Sequence, residues 1–281
     1  MMRLRVGGVP EHFNLPWRLA IEDGIHPDVE AEWVDFPGGT GAIMEALDQG
    51  TIDLATPLTE GAVTAIAGGS AARILGMWVD SPLLWGIHVA ASSEAEDVAD
   101  VASGRFAISR FGSGSELMSR MLARDRGWAI DDDRFVVVKN LDGALAALPA
   151  GDAEVFLWNK SMTQPYVDAG AFKRIGVYPT PWPAFCVAAR ADLVREHGPL
   201  LRALWGAAGQ RGRALMGDAQ LPHLAADRYG LALAEATEWS EQVQWTDPDA
   251  PLDAELLRRV TETMQALGRV DREVDPRELV A

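Results

Sequence analysis

With 281 residues, 48% of them hydrophobic, the chain is long enough to bury one large core or two of ordinary size. Its formal charge of −16 excludes the broad basic face that nucleic acids and anionic membranes require. No apolar run reaches transmembrane length, and Met1-Met2-Arg3 leads straight into a strand with no apolar leader segment. That start predicts a cytoplasmic protein, or a periplasmic or extracellular one if a leader has been removed.

The first strand spans about residues 3–9 and a helix with Pro16 in its first turn runs to Gly24. A second strand, 29–36, delivers the chain to Phe36-Pro37-Gly38-Gly39-Thr40-Gly41. There Thr40 reads as the N-cap of a helix that Gly50 ends. Ile52–Ala55 is a short strand, and Thr59-Glu60-Gly61 opens the next helix. Strands at 73–79 and 84–91 follow. A second strand–helix series begins at Arg105, with a glycine turn, Phe111-Gly112-Ser113-Gly114-Ser115, before a helix to Arg126. Strands at 135–138, 153–158, 172–177 and 184–190 alternate with helices at 141–148 and 161–169, and from Asp192 onward the chain turns helical. This alternation predicts parallel pairing in sheets covered by helices, hence an α/β fold. Both glycine turns then sit at the carboxyl ends of strands, the edge where open α/β sheets bind ligands.

Gly39-Thr40-Gly41 and Ser113-Gly114-Ser115 each open a helix, where free backbone N–H groups suit an anion; Arg110 stands beside the second turn. Neither turn is followed by Lys-Ser/Thr, so neither is a nucleotide phosphate loop. Glu11-His12-Phe13-Asn14 leaves the first strand at the same edge and supplies a mixed polar and aromatic lining. Thr59 and Glu60 add a hydroxyl and a carboxylate suited to a ligand amine or hydroxyl. Trp158-Asn159 and Trp182 lie at strand ends and suit ring stacking, whereas Trp78 and Trp85 read as core. The lone cysteine, Cys186, lies in an apolar run and reads as core filler. The five histidines are scattered, with no metal-ligand spacing; no cofactor motif and no nucleophile elbow is present.

The order of elements, the Pro-Gly-Gly-Thr-Gly turn, the Ile52-Asp53-Leu54-Ala55 strand with Thr59-Glu60-Gly61, and the second glycine turn resemble the type II periplasmic binding proteins. The nearest branch is that of receptors for nitrate, alkanesulfonates and thiamine-pyrimidine precursors. The resemblance implies two lobes, each a mixed sheet flanked by helices, joined by a two-strand hinge and closing on a ligand. The lobes are expected at residues 1–89 with 191–281, and at 90–190. The expected function is capture of a small anionic, carboxylated or heterocyclic solute without cofactor or metal, with an ABC permease or a sensing protein as partner. The alternative is a lyase on the same scaffold, as in menaquinone synthesis, with His12 as the one histidine placed for acid–base work. The pyrimidine-synthase relatives use a lysine and a cysteine-rich segment; here all three lysines, Lys139, Lys160 and Lys173, fall in the second lobe.

Overall fold

The computed structural model describes residues 1–281. In chain order the strands are β1 (Met2–Gly8), β2 (Val29–Asp35), β3 (Leu54–Thr56), β4 (Ala72–Val79), β5 (Leu84–Ala90), β6 (Phe106–Ile108), β7 (Phe135–Val137), β8 (Val155–Asn159), β9 (Phe172–Pro179) and β10 (Phe185–Arg190). The helices are α1 (Leu15–Glu22), α2 (Gly39–Asp48), α3 (Thr59–Ala67), α4 (Gly114–Arg126), α5 (Leu141–Ala150), α6 (Lys160–Asp168), α7 (Ala191–Leu215), α8 (Leu221–Tyr229), α9 (Leu233–Gln242), α10 (Ala254–Ala266) and α11 (Pro276–Leu279). The chain divides into two units: Met1–Pro82 with Trp182–Ala281, and Leu83–Pro181.

The first unit holds a five-stranded sheet in the order β2-β1-β3-β10-β4. β1 pairs in parallel with β2 and β3, whereas β10 runs antiparallel to both β3 and β4. The second unit repeats the plan as β7-β6-β8-β5-β9, with β6 parallel to its two neighbours and β5 antiparallel to β8 and β9. Each sheet is therefore mixed rather than wholly parallel. In each, the antiparallel member is the strand adjoining a crossing between the units.

β10 is buried along Phe185–Ala189, as a strand with neighbours on both edges and layers on both faces must be. The same holds for Trp85–Val89 of β5. Along the chain the two units meet at Pro82–Leu83 and Pro181–Trp182. Proline donates nothing to a ladder and suits such connecting turns.

Helix packing follows the apolar spacing. α10 buries Leu256, Leu257, Val260, Thr261 and Met264 along one stripe and packs on α3. α7 is two helices joined at His197 (φ −132°, ψ 20°), just before Pro199, whose missing N–H and ring interrupt the ladder. In the second unit, Ala107, Ala144, Leu148, Phe156 and Phe172 form a core cluster against which Trp158 and Tyr166 pack. No helix is long and apolar enough to cross a membrane.

Candidate functional site

The carboxyl edge of the first sheet is assembled by close backbone approach. A side chain on Gly8, the last residue of β1, would lie 2.5 Å from Thr56 Oγ1, 2.7 Å from the Trp33 ring and 2.8 Å from Asn14 Nδ2. Gly8→Ala is expected to cost about 2–3 kcal/mol through this overpacking, measured by urea unfolding at pH 7.

Beyond Gly8 the chain makes a tight turn, His12–Asn14, into α1. Asn14 donates to the Val9 carbonyl (2.9 Å) and accepts from the Thr56 hydroxyl (2.8 Å), so it ties the ends of β1 and β3 together. The Phe13 carbonyl accepts two indole N–H groups, from Trp78 at 3.1 Å and Trp245 at 2.9 Å. The Phe13 ring packs on Phe185 and Trp239, with centroids 5.2 and 5.8 Å away. Glu11 is half-buried on the same turn.

His12 is fully buried, and neither ring nitrogen has a hydrogen-bond partner. Its ring stacks on Phe13 (4.6 Å) and meets Trp239 edge-on (4.4 Å), with Tyr229 at 6.3 Å. Burial lowers its pKa to about 3. With its pKa this far below the physiological range, the neutral ring is a weak base and is not an imidazolium acid there, which weakens the case for acid–base chemistry at this residue.

The first glycine turn begins α2 at Gly39, one residue before the expected cap. Gly39 takes φ +73°, which an L side chain rarely adopts. Thr40 lies inside the helix. Its hydroxyl accepts the Leu58 N–H (3.0 Å), and its methyl fills the space beside Gly61, where a Cβ would meet it at 2.4 Å. Thr40 thus locks the starts of α2 and α3 side by side. The amides of Thr40 and Gly41 belong to the first turn, whose donors have no acceptor within a helix, and Gly41 is exposed.

At the second polar turn, Thr59 is buried. Its hydroxyl donates to the Pro183 carbonyl (2.6 Å) and its amide to the Ala184 carbonyl (3.1 Å). Glu60 is 1% exposed; Oε2 accepts from Trp182 Nε1 at 2.8 Å, and Oε1 has no partner. Burial raises its pKa to about 7, against the opposing hydrogen bonds from its backbone and Trp182. Cys186, fully buried beside it, has its thiol pushed up by burial and by the Glu60 charge, and is inert core as expected.

In the second unit the ends of the parallel neighbours β6 and β8 lie at one edge. Ser113 caps α4, accepting the Glu116 N–H at 3.4 Å. Ser115 Oγ accepts the Ser109 N–H (3.0 Å) and lies 3.1 Å from Ser109 Oγ and 3.0 Å from Ser113 Oγ. The buried Glu116 carboxylate folds back to accept the Gly112 N–H (2.8 Å) and Arg120 Nε (2.6 Å). This turn therefore already carries an internal anion, and Gly112 is not one of its open donors. Gly114 is half-buried, and Arg110 and Phe111 are exposed.

At the end of β8, Asn159 caps α6 by accepting from Ser161 and Met162 amides at 3.0 and 3.5 Å. Trp158 stacks on Phe156 (5.2 Å, 21°) and belongs with the core of this unit.

The structure thus gathers Glu11–Asn14, Gly39–Gly41, Thr59, Glu60 and Trp182 at one edge of the first unit, and Arg110, Ser113–Ser115, Trp158 and Asn159 at one edge of the second. Tyr229 and Trp239, which with Phe13 enclose His12, were not singled out from the sequence. Both lie on short C-terminal helices whose periodicity says only that they have a buried face.

Comparison with known proteins matches this architecture. The solved structure of the CA3427 gene product of Candida albicans, described as exhibiting the generic periplasmic binding protein fold, superposes with a TM-score of 0.91 at 26% identity. That match covers 100% of this chain and 96% of the other. This is the type II periplasmic binding protein fold. Residues 85–178 also match the model of the Ca3427-like PBP family. The alkanesulfonate-binding protein SsuA of Xanthomonas axonopodis pv. citri, bound to MOPS, is similar at TM-score 0.84 and 20% identity, over 100% of this chain and 98% of that one. PhnD1 of Prochlorococcus marinus, in complex with methylphosphonate, gives 0.62 and 13%, over 95% and 99%. No curated protein sequence matches the chain.

Proposed function

We propose that the chain is a solute-binding protein for a small organic molecule with an anionic head group, held at the strand-end turn Gly39–Gly41 of the first unit. The observation that carries this reading is the match along the whole chain to a binding-protein fold whose similar structures include sulfonate and phosphonate complexes. Two local features support it. The α2 terminus presents first-turn amides at an exposed glycine, and the one histidine suited by position to proton transfer has a pKa lowered to about 3, far from the range of an efficient acid or base. The implied partner is the permease of an ABC-type importer, because ligand-binding components of such systems are among the similar structures.

Calorimetric titration with ethanesulfonate and methylphosphonate tests the proposal. At least one should bind at sub-millimolar concentration. Gly41→Asp, which brings a competing carboxylate to the α2 terminus, should weaken that binding at least tenfold. The position is exposed, so the variant should melt near the parent temperature. An unaltered affinity would remove this turn from the site.

A further inference from the structure

Buried carboxyls in folded proteins are ordinarily matched by a cation or by enough donors to occupy both oxygens. Glu60 has neither. Oε2 takes the Trp182 indole N–H and the carboxyl also gains from its own backbone N–H, but Oε1 has no hydrogen-bond partner, and no lysine, arginine or histidine is among the groups that shift its titration. The titratable group that feels its charge is the Cys186 thiol of β10, which supplies no positive charge. The neighbouring residues are themselves held in place. Thr59 on one side is tied to the Pro183 and Ala184 carbonyls, and Trp182 on the other is 5% exposed. Glu60 opens α3 at the same sheet edge as the Gly39–Gly41 turn, and Thr40 fixes the two turns against each other through Leu58 and Gly61. One edge therefore holds donors fit for an anion and, on the adjoining turn, a carboxyl oxygen without a donor.

We propose that Glu60 reads an ammonium or N–H group on the bound solute, so that the site prefers zwitterionic molecules to simple anions. This rests on the solute-binding reading above and names the ligand class for it. A cationic group delivered to Oε1 stabilises the ionised carboxylate, so below pH 7, where Glu60 is mostly protonated, binding draws it to its ionised form and releases up to one proton to solvent.

The test is calorimetric titration of the full chain with two pairs of probes that differ only by an amine: 2-aminoethanesulfonate with ethanesulfonate, and aminomethylphosphonate with methylphosphonate. At pH 8 the amine-bearing member of at least one pair should bind at least tenfold more tightly. With a pKa of about 7 for Glu60, moving to pH 6 should weaken that probe about tenfold, as the ionised fraction falls. Glu60→Gln should bring the two members of the pair within about twofold and abolish the pH dependence. Equal affinities in the parent chain, or a preference that survives Glu60→Gln, would overturn the assignment of Glu60 alone. Failure of all four probes to bind would overturn the solute-binding reading and this inference with it. Should Glu60→Gln not fold, the parent chain's amine preference and its pH dependence still decide.

Discussion

His12→Phe is expected to gain about 2 kcal/mol of stability over the parent chain on going from pH 7 to pH 5, and His88→Gln a similar amount. Both histidines are buried, with pKa values lowered from 6.5 to about 3, chiefly by desolvation. In the unfolded chain each takes a proton as pH falls through 6.5, while in the folded chain each stays neutral to about pH 3. The unfolded state therefore binds more protons across that window, and stability is full above pH 6.5 and lost progressively below it. At pH 5 the gap is about 1.5 pH units, or about 2 kcal/mol per histidine. Comparing each variant with the parent at both pH values isolates titration from any packing change.

The two sites differ in a second respect. His88 has partners: Nδ1 faces the Phe156 carbonyl at 3.2 Å, and Nε2 accepts from Arg174 Nε at 3.4 Å. That pairing sets the tautomer with the proton on Nδ1. His12 has none, so removing its two unsatisfied nitrogens should make His12→Phe more stable than the parent even at pH 7, by about 1 kcal/mol. Urea unfolding of each protein at pH 5 and 7 measures both effects. Parallel pH profiles for parent and variants would contradict the account of these histidines.

Glu60 acts in the opposite direction. Its folded pKa is raised from 4.5 to about 7, so the folded chain holds a proton that the unfolded chain releases above pH 4.5. Its contribution is full below pH 4.5 and is lost as pH rises to 7, beyond which the cost of the buried charge is constant at about 3 kcal/mol. Glu60→Gln keeps the shape and cannot ionise, so relative to the parent it should gain about 3 kcal/mol between pH 4.5 and pH 8. In the first unit, His12 and Glu60 nearly cancel between pH 7 and pH 5. In the second, His88 has no such counterweight, so acid should loosen the second unit first. Thermal melts of parent and Glu60→Gln across pH 4.5–8 read the first effect. A parent profile as flat as the variant's would show that Glu60 titrates normally.

Much of the architecture was legible in the sequence because its punctuation is local. Gly50, Gly127 and Gly151 end helices with apolar stripes, and strands such as 29–36 and 153–158 are bounded by turn residues. The antiparallel insertion of β10 was not legible from spacing. Its partners Leu54–Ala55 and Ala72–Val79 lie more than a hundred residues away, and its apolar run suits any central strand. At the candidate site, the hydrogen bonds of the residues singled out were hidden. Thr40 looked like a cap because capping is local chemistry; it serves instead as a bridge to Leu58, eighteen positions on. Glu116 read only as a helix residue, yet its carboxylate fills the Gly112 donor that an anion would have used. His12 and Glu60 are exceptional through burial without partners, and no local pattern reports burial.

The measurement that tests the central claim most directly is native mass spectrometry of the intact chain, as purified and after incubation with the two sulfonates and two phosphonates. The account predicts a one-to-one complex with at least one of them, or a small organic molecule already bound that leaves on acid denaturation. The bare chain in every spectrum would contradict it.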